Sequence, residues 1–422
     1  MSLGSVGVAM ATSESEPRPN PGGEPVPCTE RMTDIDAVGH TSDSVGALRA
    51  VAATMIERGV RRVHALAWRD LDDPDAGGSE VHADEFMRRW AAVGLDVTHR
   101  TSFAVGLPSR AERHGYHVVR GGSRYSVFPR AVAAELTRRA GPCDALVEIW
   151  NGVPWFSPVW SRKPRITFLH HVHGPMWGQL LPGPLAGFGR VLEARLAPPF
   201  YRRTQMVTPS DATRDELIEL GFRPERVRAV PNGVSDGFAP GGVRSTVPLV
   251  AAVGRLAPVK RFDEVITSAA TARLSVPDLQ LHIVGNGPML DDLIAQVDRL
   301  GASSWVTFVG HLSHHELVSL YQRAWVVTSA SLAEGWGLTM TEAAACGTPA
   351  VATDISGHRS SVVDGVTGVL APLPELGAAL ARVLSNHGLR DRLATAALAR
   401  ARTLTWDAAS LGILEALAAQ IR

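Results

Sequence analysis

The stretch Ser331-Leu-Ala-Glu-Gly-Trp-Gly-Leu-Thr-Met-Thr-Glu342 decides how this chain is read. It follows an apolar run of strand length at 325–328 and leads into a helix that contains Glu342. Two carboxylates, Glu334 and Glu342, sit eight residues apart with Gly335 and Gly337 between them. Glycines let backbone approach a ligand closely, and the N–H groups at a helix start suit anionic or hydroxyl-rich groups. A carboxylate can accept two hydroxyl donors at once, which fits a ribose or hexose diol. Such charge-assisted bonds contribute roughly 1.5–3 kcal/mol each. Thr339-x-x-Glu342 and Ser331-x-x-Glu334 also have capping-box spacing, so a structural role stays open at this point. The Gly-Trp-Gly interruption is not something a cap requires.

Working outward, the strand–loop–helix unit recurs. Strand-length apolar runs fall at 249–253, 279–284, 306–309, 325–328 and 349–353, after a Gly/Pro-rich stretch at 232–242. Before that stretch come runs at 63–68, 95–99, 145–150, 166–170 and 204–209. Helices are predicted at 79–93 with Ser79 as N-cap, from Ser210 to about 220, from near Phe262, and at 406–421. Phe262, Val265, Ile266 and Ala269 have the spacing of one helical face. Alternating strands and helices predict an α/β chain of two Rossmann-like doubly wound domains facing across a cleft. In such sheets ligands bind at the carboxyl ends of the strands.

Composition sets the bounds. A chain of 422 residues, 45% hydrophobic and 20% charged, is long enough for two or three domains of ordinary globular type. Lys plus Arg equals Asp plus Glu at 42 each, so net charge argues neither for nor against a nucleic acid, and no nucleic-acid partner is expected. Cys28, Cys143 and Cys346 show no CxxC spacing, which predicts neither a disulfide framework nor a cysteine zinc site, and suits a reducing compartment. No signal-peptide pattern and no run of eighteen apolar residues is read, so the expected location is cytoplasmic. Residues 1–45 are expected to be a disordered tail, since 12–45 are rich in Ser, Pro, Glu and Gly.

Other loops carry candidate chemistry. In Val253-Gly-Arg-Leu-Ala-Pro-Val-Lys-Arg261, Arg255 and Lys260 could clamp a diphosphate; a solvated basic loop is the alternative. Val284-Gly-Asn-Gly-Pro288 is a Gly-rich turn without a third glycine, so it is not a dinucleotide fingerprint. Gly77-Gly78-Ser79 opens a helix as a phosphate-facing turn would, or as ordinary turn chemistry does. His170-His-Val-His173 ends a strand, where a histidine could hydrogen-bond a sugar or carry a proton. A metal there would need ligands that the neighbourhood does not offer. Ser313 should cap a surface helix that begins with His314-His315. Asp70-Leu-Asp72-Asp73-Pro-Asp75 offers acid-x-acid spacing for Mg²⁺ or Mn²⁺ but reads as a solvated loop. Met176–Arg203 interleaves Trp177, Leu180, Leu181, Leu185, Phe188, Val191, Leu192 and Leu196 with Arg190, Arg195, Arg202 and Arg203. It is either a core-facing helix with a solvated basic face or a peripheral membrane contact, broken by Pro182, Pro184, Pro198 and Pro199.

Together these residues resemble glycosyltransferase family four, retaining enzymes of the GT-B fold. The resemblance runs from Thr208-Pro-Ser-Asp through Pro231-Asn-Gly-Val234, Gly254-Arg-Leu with Lys260, Val284-Gly-Asn-Gly-Pro288 and Val309-Gly310. It continues through Glu334-Gly-Trp-Gly-Leu-Thr-Met-Thr-Glu342, Ala345-Cys-Gly-Thr-Pro349 and Asp364-Gly-Val-Thr-Gly368. It departs at Arg261, where the family usually has glycine, and at Ser356-Gly357 and Ser360, where it has a glycine pair and a glutamate.

The resemblance implies a nucleoside-diphosphate-sugar donor and a glycan or lipid-linked acceptor, with no metal and no cofactor. It implies that Arg255 and Lys260 bind the diphosphate and that Glu342 holds the ribose. Glu334 would face the sugar beside the backbone of Gly335, Trp336, Gly337 and Leu338, and His170 would approach from the other domain. Gly310 and His311 would lie by the base, with Gly285 and Gly78 also on the donor. It divides the chain at 46–235 and 236–403, with a helix over 404–422 packing back on the first domain. A nucleotide-sugar epimerase or hydrolase and a non-catalytic binding module are the rival readings; the latter has no use for His170 or Glu334.

Overall fold

The computed structural model describes residues 41–73, 76–180 and 182–422. In the first half lie β1 (Arg62–Leu66), β2 (Asp96–Thr101), β3 (Arg110–Arg113), β4 (Tyr116–Arg120), β5 (Ala145–Trp150), β6 (Arg165–Leu169), β7 (Gln205–Thr208) and β8 (Val227–Ala229). They form one sheet in the order β3-β4-β2-β1-β5-β6-β7-β8, parallel except for the antiparallel β3–β4 pair. In the second half lie β9 (Leu249–Val253), β10 (Gln280–Val284), β11 (Val306–Gly310), β12 (Val326–Ser329), β13 (Ala350–Thr353) and β14 (Gly368–Ala371). These make an all-parallel sheet in the order β11-β10-β9-β12-β13-β14. All six residues of β5 are buried, as expected of a central strand covered on both faces.

The hairpin β3–β4, the short β8 and β14 were not expected from the sequence. β3 reads Arg-Ala-Glu-Arg and lies at the sheet edge, where charge blunts pairing with other chains and no apolar run is needed. The hairpin also corrects the reading of the Asp70 loop. Asp70 is fully buried, bonded to Arg120 and 2.8 Å from Arg113, and Asp72 pairs with the same two arginines. The acid-x-acid pattern is therefore an ion-pair cluster, buried at Asp70 and half-exposed at Asp72, that fastens the hairpin to β1 rather than a free solvated loop; Asp75 lies outside the described residues.

Three helices share one face of the first sheet: Thr41–Glu57, Gly78–Ala92 and Trp406–Ala418. Leu48, Met55, Phe86, Trp90, Ile413 and Leu417 form a single core there with Val63 and Ala65 of β1. Each such side chain contributes roughly 1.5–3 kcal/mol on burial. Residues 1–40 of the expected tail lie outside the described residues. Residues 41–45 are a correction, because they are the first turn of a packed helix. The polar sequence Thr-Ser-Asp-Ser that looked tail-like is the composition of a helix start. Ser79 is not an N-cap: Gly77 holds that position, and its N–H donates to Glu80 Oε2 at 2.8 Å. Ser210 and Ser313 cap the helices Asp211–Glu219 and His314–Arg323 as expected.

The two connections between the sheets run side by side. Val234 N donates to Leu404 O at 2.9 Å and Val234 bridges Thr405. A Cβ on Gly233 would fall 2.1 Å from Trp406 N, so only glycine allows this crossing. The Trp406 helix, though last in sequence, thus belongs to the core of the first sheet.

The 176–203 segment is a chain of short helices: Gly183–Val191, a π-turn at Leu192–Leu196, and Pro198–Tyr201. Pro198 and Pro199 stand in the first turn of the last of these, after a bend at Ala197, so the segment is broken there as the prolines implied. Trp177 is buried, with its ring against Gly189 and Nε1 donating to Glu193 Oε2 at 3.1 Å. Leu185, Phe188 and Phe200 are 54%, 58% and 53% exposed, and Arg190, Arg195, Arg202 and Arg203 are exposed with them. The outward face of this segment is therefore apolar and basic together, and the side chains of Leu180 and Leu181 lie outside the described residues.

Candidate active site

The carboxyl ends of β9, β10, β11 and β12 lie in a row, and each carries one of the loops singled out above. After β9, the chain runs through exposed Arg255 to a turn at Pro258–Lys260 and then the helix Phe262–Arg273. Arg261 caps that helix with φ +50°, a left-handed conformation that glycine adopts more easily. The departure from glycine is thus accommodated in place, and the Arg261 guanidinium binds Asp263 and Glu264 of the first turn.

Gly285 ends β10 against this loop. A Cβ there would fall 2.0 Å from Gly254 O, and one on Gly287 would fall 2.4 Å from Leu256 O. These glycines are required for two backbone loops to touch. Gly285 N donates to Gly310 O at 2.8 Å, which ties in the end of β11 and exposed His311.

The loop after β12 carries the paired glutamates. Glu334 is 17% exposed at its side chain, with Lys260 Nζ at 2.5 Å and Ser331 Oγ donating at 2.8 Å. Burial works to raise its pKa, but the Lys260 charge and these hydrogen bonds bring it below the usual carboxylate value. Trp336 is buried, which anchors the loop, and Gly337 caps the helix Leu338–Ala345 with φ +84°. Thr339 is therefore no cap. Glu342, inside that helix, accepts from Tyr321 Oη at 3.1 Å. Burial pushes its carboxyl up to about 7, against the pull of the tyrosine hydroxyl.

From the first sheet, β6 delivers His170 against the same loop. A Cβ on Gly335 would stand 2.5 Å from His170 O. One on Gly78, at the start of the Gly78–Ala92 helix, would stand 3.1 Å from Leu338 Cδ1. His170, Gly78, Gly335 and Leu338 therefore meet at the seam between the two sheets. Neither ring nitrogen of His170 has a hydrogen-bond partner among the described residues. Its ring packs on Phe168 at 4.7 Å and edge-on to His82 at 5.0 Å, and His82 in turn touches Trp406. Burial, with His82 and His171 adding to it, holds the His170 pKa well below the usual imidazole value. Burial thus favours the neutral imidazole, with both ring nitrogens unpartnered among the described residues.

Two further residues reach the site, His171 from the strand-end histidine motif and His358, which the sequence reading missed. His171 feels the charges of Glu334 and Lys260 across the seam. His358 is buried with Nδ1 2.8 Å from Thr353 O, its Nε2 has no partner among the described residues, and its field reaches Glu334. Its neighbour Gly357 packs on the Glu334 backbone, where a Cβ would fall 2.2 Å from Glu334 O. The signal for His358 was its place just past a strand end, beside the Ser356-Gly357 departure.

The family described as "Glycosyl transferases group 1" matches residues 237–400, and "Glycosyltransferase Family 4" matches residues 76–238. The D-inositol 3-phosphate glycosyltransferase of Kribbella flavida is 30% identical over 412 residues, covering 83% of this chain and 94% of that protein. Among solved structures, sucrose-phosphate synthase from Thermosynechococcus elongatus superposes with TM-score 0.71 at 21% identity, over 84% of this chain and 97% of that one. Anabaena HepE in complex with UDP-glucose gives TM-score 0.67 at 18% identity, over 85% and 99%. At these identities the solved structures share the two-sheet fold with this chain.

Proposed function

The chain belongs to glycosyltransferase family 4, with the GT-B fold, and on that footing we propose that it moves a sugar from a nucleoside diphosphate to an acceptor hydroxyl with retention and without a metal. The observation that carries this reading is the Lys260–Glu334 pair, set at the seam opposite His170. A cation and a hydroxyl-accepting carboxylate at one point suit a bond between a phosphate and a sugar. The donor lies along the row of strand ends: base by Gly310 and His311, ribose on Glu342, diphosphate on Arg255 and Lys260, sugar between Glu334 and His170. Residues 236–403 act as the donor lobe, and 46–235 with 404–422 act as the acceptor lobe.

In the reaction, the bond from the sugar's anomeric carbon to the diphosphate oxygen breaks, and negative charge grows on the diphosphate. Lys260 and Arg255 stabilise that charge where a metal would otherwise serve. The sugar passes through an oxocarbenium-like state. The acceptor oxygen bonds to the anomeric carbon from the face being vacated, and its proton passes to the departing phosphate oxygen. Neutral His170 orients a sugar hydroxyl and donates no proton. Closure of the lobes excludes water.

The setting is cytoplasmic, with Cys143 and Cys346 as free thiols, and the acceptor is a glycan or a lipid-linked species. No helix among the described residues is long and apolar enough to cross a membrane. The exposed face of 183–203, with Phe188 and Phe200 among four arginines, supports a peripheral contact with anionic lipid. Incubation with a panel of UDP-, GDP- and ADP-sugars, reading nucleotide release with and without candidate acceptors, tests the proposal. Acceptor-dependent release from one donor with an NMR-verified retained anomer is expected. An inverted product, or isomerised sugar without acceptor, overturns it.

A further inference from the structure

On the face of the first sheet opposite the three-helix core, three dissimilar donor groups converge. His64 lies mid-way along β1, Glu135 in the last turn of the helix Val127–Leu136, and Cys143 just before β5. One ligand atom from each lies within 4.8 Å of the others. His64 Nδ1 is 2.7 Å from Glu135 Oε1. Register explains the convergence, since β1 and β5 are parallel neighbours with His64 opposite Leu146. The residues leading into β5 therefore pass beside His64.

Glu135 is buried against His64 with only part of its hydrogen-bonding capacity used. Its side chain is 2% exposed, and it lies at the helix end where the dipole disfavours negative charge. Its second oxygen, Oε2, is buried without a hydrogen-bond partner among the described residues. The nearest cation to that oxygen is Lys163, at 3.7 Å and 35% exposed, too far for a hydrogen bond and able to turn to solvent. A cavity of about 360 Å³, lined by Glu135, Trp160, Ser161, Arg162 and Lys163, opens beside it.

We propose that His64, Glu135 and Cys143 form a zinc site, with water from this cavity as the fourth ligand. Imidazole, thiolate and carboxylate together are a borderline-soft set that suits Zn²⁺ at about 2.0–2.3 Å per bond. Bond lengths of that size put two tetrahedral ligand atoms roughly 3.3–3.8 Å apart. His64 and Glu135 would separate by about 1 Å or less, and Cys143 would close by a similar amount, which is within side-chain motion. On binding, the Cys143 thiol and the His64 ring nitrogen facing Glu135 each release a proton to solvent, and Lys163 swings outward. The ion would tie β1, the end of the Val127–Leu136 helix and the head of β5 together. This site is built on the sheet face and takes no part in the cleft chemistry. Cysteine spacing carries no signal for such a site, because each ligand comes from a different element.

The test is anaerobic titration of reduced, metal-stripped full-length protein with Co²⁺, followed by displacement with Zn²⁺. One Co²⁺ per chain is expected, with a thiolate-to-cobalt charge-transfer absorption in the near-ultraviolet and loss of that band when Zn²⁺ is added. Cys143→Ser should abolish the band. Glu135→Gln should keep the band while weakening binding by at least about tenfold, the lower end of losses seen even for outer groups of a metal site. Absence of the band in the unaltered protein overturns the proposal without recourse to any variant. Its persistence in Cys143→Ser, which would point to another thiol such as Cys346, also overturns it.

Discussion

The carbonyl oxygen of His170 and the α-carbon of Gly335 are in such close approach that a Cβ on Gly335 would stand 2.5 Å from that oxygen. Backbone from one sheet thus rests on backbone from the other at the point where the sugar is proposed to sit.

Gly335→Ala should therefore prise the lobes apart while leaving each core intact. A misplacement of about 1 Å at a reacting centre can cost on the order of 10²-fold in rate. We expect kcat/KM to fall by about that factor with the melting temperature nearly unchanged. Gly78→Ala is the contrast: its new Cβ meets only the tip of the Leu338 side chain at 3.1 Å, which can shift, so activity should fall less than about tenfold. Equal losses in the two variants would remove the backbone seam from the explanation.

Glu342 should make nucleotide binding depend on pH. With its pKa raised to about 7, the unliganded protein holds the carboxyl protonated below that value and charged above it. If ribose hydroxyls need the carboxylate, affinity should rise between pH 6 and pH 8 and flatten above. For an acid with a raised folded pKa, the stability contribution is complete below the unfolded value and is lost as pH rises through about 7. Glu342→Gln should therefore stabilise the unliganded fold at pH 8 by about 1–3 kcal/mol while weakening nucleotide binding roughly 10–100-fold. Calorimetric titration and melting curves at both pH values check the two signs together.

Lys260→Ala removes the cation from both Glu334 and the leaving diphosphate. A loss of about 10²–10³ in kcat is expected, as for removal of one oxyanion donor. In the unaltered protein, turnover measured well below the melting temperature should survive EDTA. Chelation that abolishes turnover, with Mn²⁺ restoring it, would contradict the metal-free mechanism.

The membrane proposal needs surface probes. Because Trp177 is buried against Gly189, substituting it tests packing and says nothing of lipid. Phe188→Ser with Arg195→Glu changes only exposed side chains. The unaltered protein should co-sediment with anionic vesicles but not neutral ones, and the double variant should stay in the supernatant with its melting temperature retained. Equal sedimentation on both vesicle types would leave the segment without this role.

The donor half was legible because its strands are short apolar runs and its loops carry glycines where backbone must touch backbone. Phe262, Val265, Ile266 and Ala269 all face the core as their spacing implied. What escaped was whatever depends on a partner distant in sequence. Asp70 and Asp72 looked solvated because β3 and β4, which bring Arg113 and Arg120, have too little apolar pattern to announce a strand pair. His358 reaches Glu334 only because β13 lies beside β12. His64, Glu135 and Cys143 share no motif at all.

The crossing of Val234 and Thr405 bears on how the protein is made. The core around Leu48 and Ala52 is finished by Ile413 and Leu417, more than three hundred residues later. At roughly 5–20 residues per second, that interval is on the order of tens of seconds of synthesis. The second sheet, whose strands lie between residues 249 and 371, has all of them available before the Trp406 helix emerges. During translation the later-encoded lobe is therefore positioned to fold first, while the lobe begun earlier waits with an uncovered apolar face.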